Sequence, residues 1–188
     1  MKLNIGSGSK RYDGYINIDN DAGSNPDYVV NLETDRLPFE DNSVDEVIAH
    51  HILEHLGDGF FHCLQELYRV CKNGAIIDVR VPHPKHDTFL IDPTHRRPIY
   101  PHTLDMFSQK RNKRDIADPN GRETPLGLIY KIDLEVIHYT FNLDPYWQQR
   151  FQQMTEEECE HVARSFNNVI TEIIIQVMVN KDESSLDG

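Results

Sequence analysis

A short apolar strand that runs directly into a glycine turn opens this chain and limits the folds available to it. Leu3 and Ile5 alternate with polar neighbours, and the chain then turns through Gly6, Ser7 and Gly8. Glycine is needed where a backbone takes positive φ or where a ligand lies against its amides. A strand that ends in such a turn directs N–H groups outward, where they can bind a carboxylate or a phosphate. The turn therefore predicts a ligand site at the carboxyl end of the first strand.

Further strand patterns follow, with polar residues at their ends. Residues 15–19 alternate and end in Asp19, where an acid in a nucleotide-binding fold accepts hydrogen bonds from a ribose. Residues 28–33 predict a third strand and residues 44–51 a fourth. Strand and helix patterns alternate through most of the chain, which indicates an α/β fold. Residues 9–15 are too few for a crossover helix, so the first crossover is predicted to be shortened.

Downstream of the fourth strand the pattern predicts a helix, a long irregular segment and further strands. The helix covers residues 60–71 and is predicted to stop at Asn73-Gly74, since glycine readily takes the left-handed conformation. Residues 82–125 are rich in proline and histidine and lack periodicity, and so long a stretch usually has a function. The other predicted elements are strands at 75–81, 128–141 and 169–179, a short helix at 101–108 and a helix opened by a capping box at Thr155.

Composition excludes several classes of protein. A chain of 188 residues, 38% hydrophobic and 27% charged, fits a single domain over 1–188 with a polar tail at 181–188 that frays. The net charge of −12 argues against a nucleic-acid partner. No apolar run is long enough for a membrane span, and no secretory signal is present, so we expect a cytoplasmic protein. Cys63, Cys71 and Cys159 are predicted to be free thiols, and the sequence does not indicate an oligomeric state.

Several segments, taken in order, resemble the class I S-adenosylmethionine-dependent methyltransferases. These segments are residues 3–8, Asn17–Asp19, residues 37–45 and the string His51-Ile52-Leu53-Glu54-His55-Leu56. The resemblance covers residues 1–80, with weaker agreement beyond them. It implies a Rossmann-like, mostly parallel sheet of seven strands in the order 3-2-1-4-5-7-6, and an enzyme that transfers a methyl group from S-adenosylmethionine.

The resemblance also implies where the cofactor binds, at the carboxyl ends of the strands. The glycine turn would approach its methionine part, Asp19 its ribose hydroxyls, Asn31 its adenine, and His50 its methyl end. The alternative for Asp19 is a solvated acid in a turn. Nicotinamide binding is disfavoured, because Arg11 replaces the third glycine of that fingerprint and the acid comes too early. The predicted cofactor-binding set is Asn4, Gly6, Ser7, Gly8, Asp19, Asn31, Leu32, Glu33 and His50.

Methyl transfer requires donor and acceptor in line and, for an oxygen or protonated nitrogen acceptor, a group that takes a proton. Histidine suits this role because its pKa is near neutrality. His51 is the first candidate for a base or an acceptor-orienting group. The further candidates are His83, His86 and His95 in the irregular segment. Glu54 and His55 lie in a string that is widespread in the family, so they are predicted to be structural.

The irregular segment leaves several interpretations open. Its histidines and carboxylates could bind a divalent metal, but their spacing matches no closed zinc site, and no metal ligand is predicted. The preferred interpretation is a lid over a small-molecule acceptor, which would be anionic if the chain's basic residues border the site. The alternative to an enzyme is a methyltransferase-like module that binds the cofactor without chemistry. The basic residues are Arg96, Arg97, Lys110, Arg111, Lys113 and Arg114.

Overall fold

The computed structural model describes residues 1–181, and its framework is a seven-stranded sheet. The strands are β1 (Lys2–Ile5), β2 (Ile16–Asp19), β3 (Tyr28–Val29), β4 (Val44–His50), β5 (Cys71–Pro82), β6 (Leu134–Leu143) and β7 (Ile170–Val179). Their order is β3-β2-β1-β4-β5-β7-β6, with β1 to β5 parallel and β7 antiparallel to both of its neighbours. The predicted Rossmann-like strand order is confirmed.

The helices are concentrated in the second half of the chain. Among the helices of residues 1–181, only α1 connects two parallel strands, β4 and β5. The helices are α1 (Phe60–Val70), α2 (Asp87–Leu90), α3 (Pro101–Asp105), α4 (Gln109–Ala117), α5 (Leu126–Tyr130), α6 (Pro145–Phe151) and α7 (Glu156–Ser165). No helix within residues 1–181 is long and apolar enough to span a membrane.

The two faces of the sheet differ in polarity. Successive side chains of a strand point to opposite faces, and the in-register residues Leu3, Val47 and Ile77 are buried on one face, in the same core as α1. Parallel sheets are usually covered with apolar residues on both faces. Here the other face carries the polar residues Asn4, Asn17, Glu46, His50, Asp78, Arg80 and Gln176 at the alternating positions.

The first crossover is a loop, residues 6–15, in place of a helix, as the sequence predicts. Buried Asn4 fixes this loop, because its Nδ2 donates to the Lys10 carbonyl at 2.9 Å and to Asn17 Oδ1 at 3.0 Å. Tyr12 Oη lies 3.1 Å from His50 Nδ1 and so holds the loop against the polar face. The loop covers part of the face that a crossover helix would otherwise shield.

The third strand is shorter than predicted, because a turn formed by side chains replaces its second half. Only Tyr28 and Val29 pair with β2. Asn31 Oδ1 accepts from the Glu33 amide at 3.0 Å, and Asp35 Oδ2 accepts from the Asn31 amide at 2.9 Å. Such local hydrogen bonds compete with a strand ladder for the backbone donors. The prediction of a strand over 28–33 is therefore wrong beyond Val29.

The predicted end of the first helix is also wrong. The helix stops at Val70, and Cys71 is already the first residue of β5. Asn73 and Gly74 lie inside the strand, where Gly74 has φ +78° and the register with β4 shifts. Glycine at positive φ is typical of a bulge as well as of a helix end, which explains the misassignment.

The segment that was predicted to be irregular contains α2 and α4, which were not predicted, and α3, which lies within the short helix predicted at 101–108. The strand predicted at 128–141 begins only at Leu134, because α5 occupies residues 126–130. The Tyr130 ring stacks on Phe61 at 4.5 Å, so packing against α1 overrides the alternating pattern. The three cysteines are free, as predicted. Of the predicted tail, only Lys181 lies within the described residues, and its Nζ donates to the Arg69 carbonyl at 3.2 Å.

Candidate active site

A hollow of about 120 Å³ lies beyond the carboxyl ends of β1 and β2. In an open α/β sheet, ligands bind where strand connections diverge to opposite sides, and β1 with its neighbours β2 and β4 is such a point. The hollow brings together five of the predicted cofactor residues with several that were not predicted. Its lining is Gly6, Asp19, Asn20, Val30, Asn31, Leu32, Glu33, Ile52, His55 and Leu56.

The glycine turn has the conformation that its sequence requires. Gly6 has φ +60°, and a Cβ there would lie 2.5 Å from Ile52 Cγ1, so both conformation and space exclude a side chain. Gly8 has φ +48°, and a Cβ there would meet nothing within 4 Å. Buried Ser7 extends the strand pairing, since its amide donates to the Ile18 carbonyl at 3.1 Å. The turn therefore keeps open space beside Gly8.

Asp19 links the turn to the hollow. Its Oδ2 accepts from the Gly8 amide at 2.7 Å and its Oδ1 from the Asp21 amide at 2.9 Å. Each carboxylate oxygen has a second lone pair. The two backbone bonds thus orient the carboxylate and leave it able to accept further hydrogen bonds from a ligand in the hollow.

The residues after β3 meet the start of α1 at the far side of the hollow. Glu33 Oε1 accepts from the Gly57 amide. A Cβ on Gly59 would lie 2.4 Å from Glu33 Cα, so a glycine is needed for this close approach. Asn31 is exposed at the rim, while Leu32 is 7% exposed and forms part of the wall.

The other predicted cofactor residues, Asn4, Ser7, Gly8 and His50, do not line this hollow. Asn4 and His50 belong to the polar face of the sheet. His50 Nε2 lies 3.5 Å from Asp78 Oδ2, and its proximity lowers the pKa of that carboxyl. Asn4 and His50 contact loop 6–15 from the polar face of the sheet. Ile52 and Leu56 form the nearby wall of the hollow.

A second hollow, of about 450 Å³, adjoins the first at His55, which lines both. It lies beyond the end of β4, between the end of β5 and the start of β7. Two of the four predicted catalytic histidines, His51 and His95, line it. The full lining is His51, Glu54, His55, Pro82, Thr88, Asp92, His95, Thr171 and Glu172.

His51 occupies a strained backbone position at the end of β4. Its φ is +54°, which is uncommon for a residue other than glycine and is frequent at functional sites. Its Nδ1 lies 3.5 Å from Glu54 Oε1 and its Nε2 2.9 Å from Glu172 Oε1. These carboxylates, Glu54 most strongly, raise the pKa of His51 above its ordinary value. The two carboxylates thus stabilise the protonated form of the His51 ring relative to that of a free histidine.

The predicted catalytic candidates His83 and His86 line neither hollow. His83 Nδ1 accepts from the Lys85 amide at 3.2 Å, and burial lowers the pKa of its imidazole to about 4. Its ring packs edge-on against Tyr100. His86 caps α2, since its Nδ1 accepts from the Thr88 amide at 3.1 Å. Both side chains anchor the segment that follows β5.

The basic residues fall into two separate groups. Arg96 and Arg97 line a third hollow, of about 980 Å³, which also includes His55. Arg97 is committed to packing, because its Nε donates to the Leu56 carbonyl at 3.1 Å and its guanidinium lies 4.4 Å from the Phe60 ring. The remaining basic residues lie on α4, where Arg111 pairs with Glu123 at 2.7 Å. Exposed Arg96 is thus the cation that remains at the rim.

Comparison with known proteins agrees with this geometry. A family profile described as a methyltransferase domain matches residues 6–78, the segment that contains the glycine turn, Asp19 and His51. Residues 6–78 thus match a methyltransferase domain, and the strand order of the sheet is the one of class I methyltransferases. A methyltransferase domain of this kind implies S-adenosylmethionine as the cofactor. In an open α/β sheet a ligand is expected beyond the carboxyl ends of the central strands, where the first hollow lies. No curated protein sequence matches the chain.

Solved methyltransferases share the fold at low sequence identity. A SAM-dependent methyltransferase from Archaeoglobus fulgidus is 18% identical, with a TM-score of 0.61 over 94% of this chain and 85% of that one. One from Methanosarcina mazei is 15% identical, with a TM-score of 0.51 over 96% and 92%. One from Mesorhizobium loti is 13% identical, with a TM-score of 0.50 over 94% and 90%. At identities this low, the structural likeness shows a common fold and nothing further.

The sequence did not indicate the apolar wall of the first hollow. It also did not indicate that Glu54, His55 and His95 lie close together. In the apolar wall, Val30 belongs to no motif, whereas Ile52 and Leu56 lie in the string 51–56, which indicated the family resemblance and no contact with a ligand. The spacing of His51, Glu54 and His55 was a usable signal, since residues three and four apart share a face in helical turns.

Proposed function

We propose that this methyltransferase transfers the methyl group of S-adenosylmethionine to an oxygen or nitrogen atom of a small-molecule acceptor. The observation that carries the proposal is the junction of two hollows at His55. One hollow is lined by Gly6 of the glycine turn and by Asp19, and the other by His51 and Glu172. A cofactor in the first would direct its reactive end toward an acceptor in the second.

Chain residues would hold the cofactor from three sides. Asp19 would accept hydrogen bonds from the ribose hydroxyls, since its carboxylate is already oriented by two backbone amides. The apolar wall suits a planar base, and Asn31 and Glu33 lie at its polar edge. Open space beside Gly8 would admit the methionine part. In this proposal Asn4, Ser7 and His50 act indirectly, by fixing the loop that carries Gly8.

The acceptor would be held by His51 and the segment above it. The cofactor supplies a methyl group already activated on a sulfonium, so the protein has mainly to place the acceptor atom in line with it. His51 would hydrogen-bond the acceptor through Nδ1, because Nε2 is already bonded to Glu172 at 2.9 Å whereas Nδ1 lies 3.5 Å from Glu54 Oε1. Residues 82–125 would form the lid, since Thr88, Asp92 and His95 from this segment line the second hollow. Exposed Arg96 at the adjoining hollow would favour an acceptor that carries negative charge.

The experiment that tests this proposal measures S-adenosylhomocysteine released from S-adenosylmethionine across a panel of small hydroxyl and amine acceptors. We expect acceptor-dependent release, with the mass of the acceptor raised by one methyl group. Release with no acceptor dependence would contradict the proposal.

A second candidate is a module that binds the cofactor without catalysis. The shortened first crossover favours it, because no helix follows the glycine turn in residues 6–15. Binding of S-adenosylmethionine without release of product, for every acceptor tested, would support this candidate over the enzyme.

A further inference from the structure

We propose that Glu54, His55 and His95 form a binding site for a divalent first-row transition-metal ion. One ligand atom from each of these residues lies within 4.8 Å of the other two. Ligand atoms at about 2.1 Å from a shared ion are separated by up to ~4.2 Å. Small side-chain rotations are thus enough to bring the three groups onto one ion.

The Glu54 carboxylate supports a cation at this position. The residue is 1% exposed, and neither of its carboxylate oxygens has a hydrogen-bond partner among residues 1–181. The His51 ring faces this carboxylate, with Nδ1 at 3.5 Å from Oε1, beyond the distance of a good hydrogen bond. A buried carboxylate is costly unless it is paired and hydrogen-bonded or coordinates a metal. An ion held with His55 and His95 would satisfy the free oxygens.

The hydrogen bonds around the two histidines fix their tautomers. His95 Nδ1 lies 2.8 Å from the Phe89 carbonyl, which only accepts, so Nδ1 carries the proton of the neutral ring. His55 Nδ1 lies 2.9 Å from Thr94 Oγ1, and that hydroxyl donates to Asp92 Oδ1 at 2.6 Å. Thr94 therefore accepts from His55 Nδ1. Both rings keep the Nε2 lone pair free.

This pattern is the one that metal-binding histidines show. A histidine ligand almost always donates its other ring N–H to a carbonyl, a carboxylate or a water, which fixes the ring and raises its basicity. His95 uses a carbonyl directly, and His55 uses a hydroxyl that is itself held by Asp92. Phe89 also stacks on the His95 ring at 5.0 Å and restricts its rotation.

Backbone contacts hold the two parts of the site together. The Arg96 amide donates to the Glu54 carbonyl at 2.7 Å, so the segment with His95 is fixed to the turn that contains Glu54 and His55. The rings of His55 and His95 lie 4.7 Å apart. Contacts between residues far apart in sequence thus hold the three ligand side chains close together before an ion binds.

The donor set indicates the kind of ion and its role. Imidazole nitrogens suit zinc, iron, nickel and copper, whereas magnesium and calcium prefer oxygen ligands. Two histidines and one carboxylate leave coordination positions open. These positions would face the second hollow, where the ion could bind an oxygen of the acceptor. That role rests on the proposed methyl transfer, but the site itself does not.

The test is a titration of metal-stripped, tag-free protein with Co²⁺, followed by electronic absorption. We expect ligand-field bands that appear on addition of Co²⁺ and are removed by competing Zn²⁺. Glu54→Gln and His95→Gln should each weaken Co²⁺ binding at least about tenfold. His161→Gln is the matched control, since His161 is an exposed histidine on α7, and it should bind Co²⁺ as the wild type does.

Circular dichroism establishes that each variant is folded, and if Glu54→Gln does not fold, His95→Gln decides the outcome. Folded wild-type protein without Co²⁺ bands, or equal affinity in a folded ligand variant, would overturn the metal site. Calorimetry with S-adenosylhomocysteine on the metal-stripped protein separates this outcome from the proposed function. If the chain has no metal site, the metal-stripped protein should still bind S-adenosylhomocysteine, and only the metal proposal fails.

Discussion

His51 shows how a single residue at the edge of the sheet combines backbone strain with two charge partners. Its amide donates to the Arg80 carbonyl at 2.8 Å, which holds the left-handed backbone at the end of β4. That conformation directs the ring toward Glu54 and Glu172. A strained residue persists only when its surroundings over-determine it, and such residues cluster at active sites. The backbone strain and the two carboxylate contacts support the proposal that His51 acts on the acceptor side.

Replacing His51 by Asn should lower turnover and leave cofactor affinity nearly unchanged. Asn tolerates positive φ, so the backbone at the end of β4 should be retained while the imidazole is lost. Removing one hydrogen bond made to the acceptor should reduce kcat/KM by roughly 10- to 100-fold, equivalent to about 1–3 kcal/mol. Steady-state kinetics and calorimetry with S-adenosylhomocysteine check the two halves of this expectation. A large loss of cofactor affinity with unchanged kcat would contradict it.

At the level of elements, Arg69 on α1 replaces the support that a crossover helix would give residues 37–41. Its guanidinium donates to the Leu37 carbonyl at 2.9 Å and to the Phe39 carbonyl at 2.9 Å. It also pairs with Glu66 at 2.7 Å, and Glu66 in turn accepts from the Leu37 amide. One partly buried side chain thus joins α1 to the connection between β3 and β4.

Replacing Arg69 by Met should lower the free energy of unfolding by about 1–3 kcal/mol, because two backbone carbonyls and Glu66 lose a donor. Met retains the apolar stem, so the loss should report the hydrogen bonds. Arg36→Met is the control, since Arg36 is 73% exposed and its nearest carboxylate, Asp41, lies 3.7 Å away. Urea unfolding measures both variants. Equal effects of the two substitutions would show that the Arg69 hydrogen bonds do not stabilise the fold.

The segment after β5 should make stability depend on pH through His83. Its pKa is about 4 in the folded chain because of burial, while its ordinary value is 6.5. Below pH 6.5 the unfolded state binds a proton that the folded state does not, so stability should fall as pH decreases from 6.5 to about 4. The full loss is up to about 3 kcal/mol, since one pKa unit is ~1.4 kcal/mol.

The comparison of wild type with His83→Gln isolates this dependence, because all other groups titrate in both proteins. We expect the difference in unfolding free energy between pH 7.5 and pH 4.5 to be smaller in the variant. Equal pH dependence in both would show that His83 is not held neutral in the folded chain.

Across the whole molecule, the carboxyl edge of the sheet was more predictable than the boundaries of its elements. The positions of strand ends such as Gly6 and Asp19 can be predicted from the local alternation of apolar residues and from the ability of glycine to take positive φ. The start of β5 at Cys71 does not, since the sequence 60–71 is helical in pattern and the strand begins only because its pairing with β4 requires it. The proximity of Glu54 and His95 depends on how residues 94–97 fold back onto residues 54–57. No spacing in the sequence encodes that proximity.

The same limit applies to the two faces of the sheet. Alternation within each strand predicts one buried side, but the polar residues opposite it become one continuous face only once the register of β1, β4 and β5 is known. That face explains why loop 6–15 can replace a helix, since Tyr12 and His50 meet on it through a hydrogen bond.

In the proposed function, the hollow beyond β1 and β2 binds the adenosyl part of the cofactor through Asp19. The most direct measurement is calorimetry with S-adenosylhomocysteine on wild type, Asp19→Ala and Asp21→Ala. We expect wild-type binding that Asp19→Ala weakens by about 1–3 kcal/mol. Asp21→Ala should bind as the wild type does, because the Asp21 side chain caps the neighbouring turn at Gly23 and does not line the hollow. Absence of binding to the wild type, or equal affinity in all three proteins, would contradict the claim.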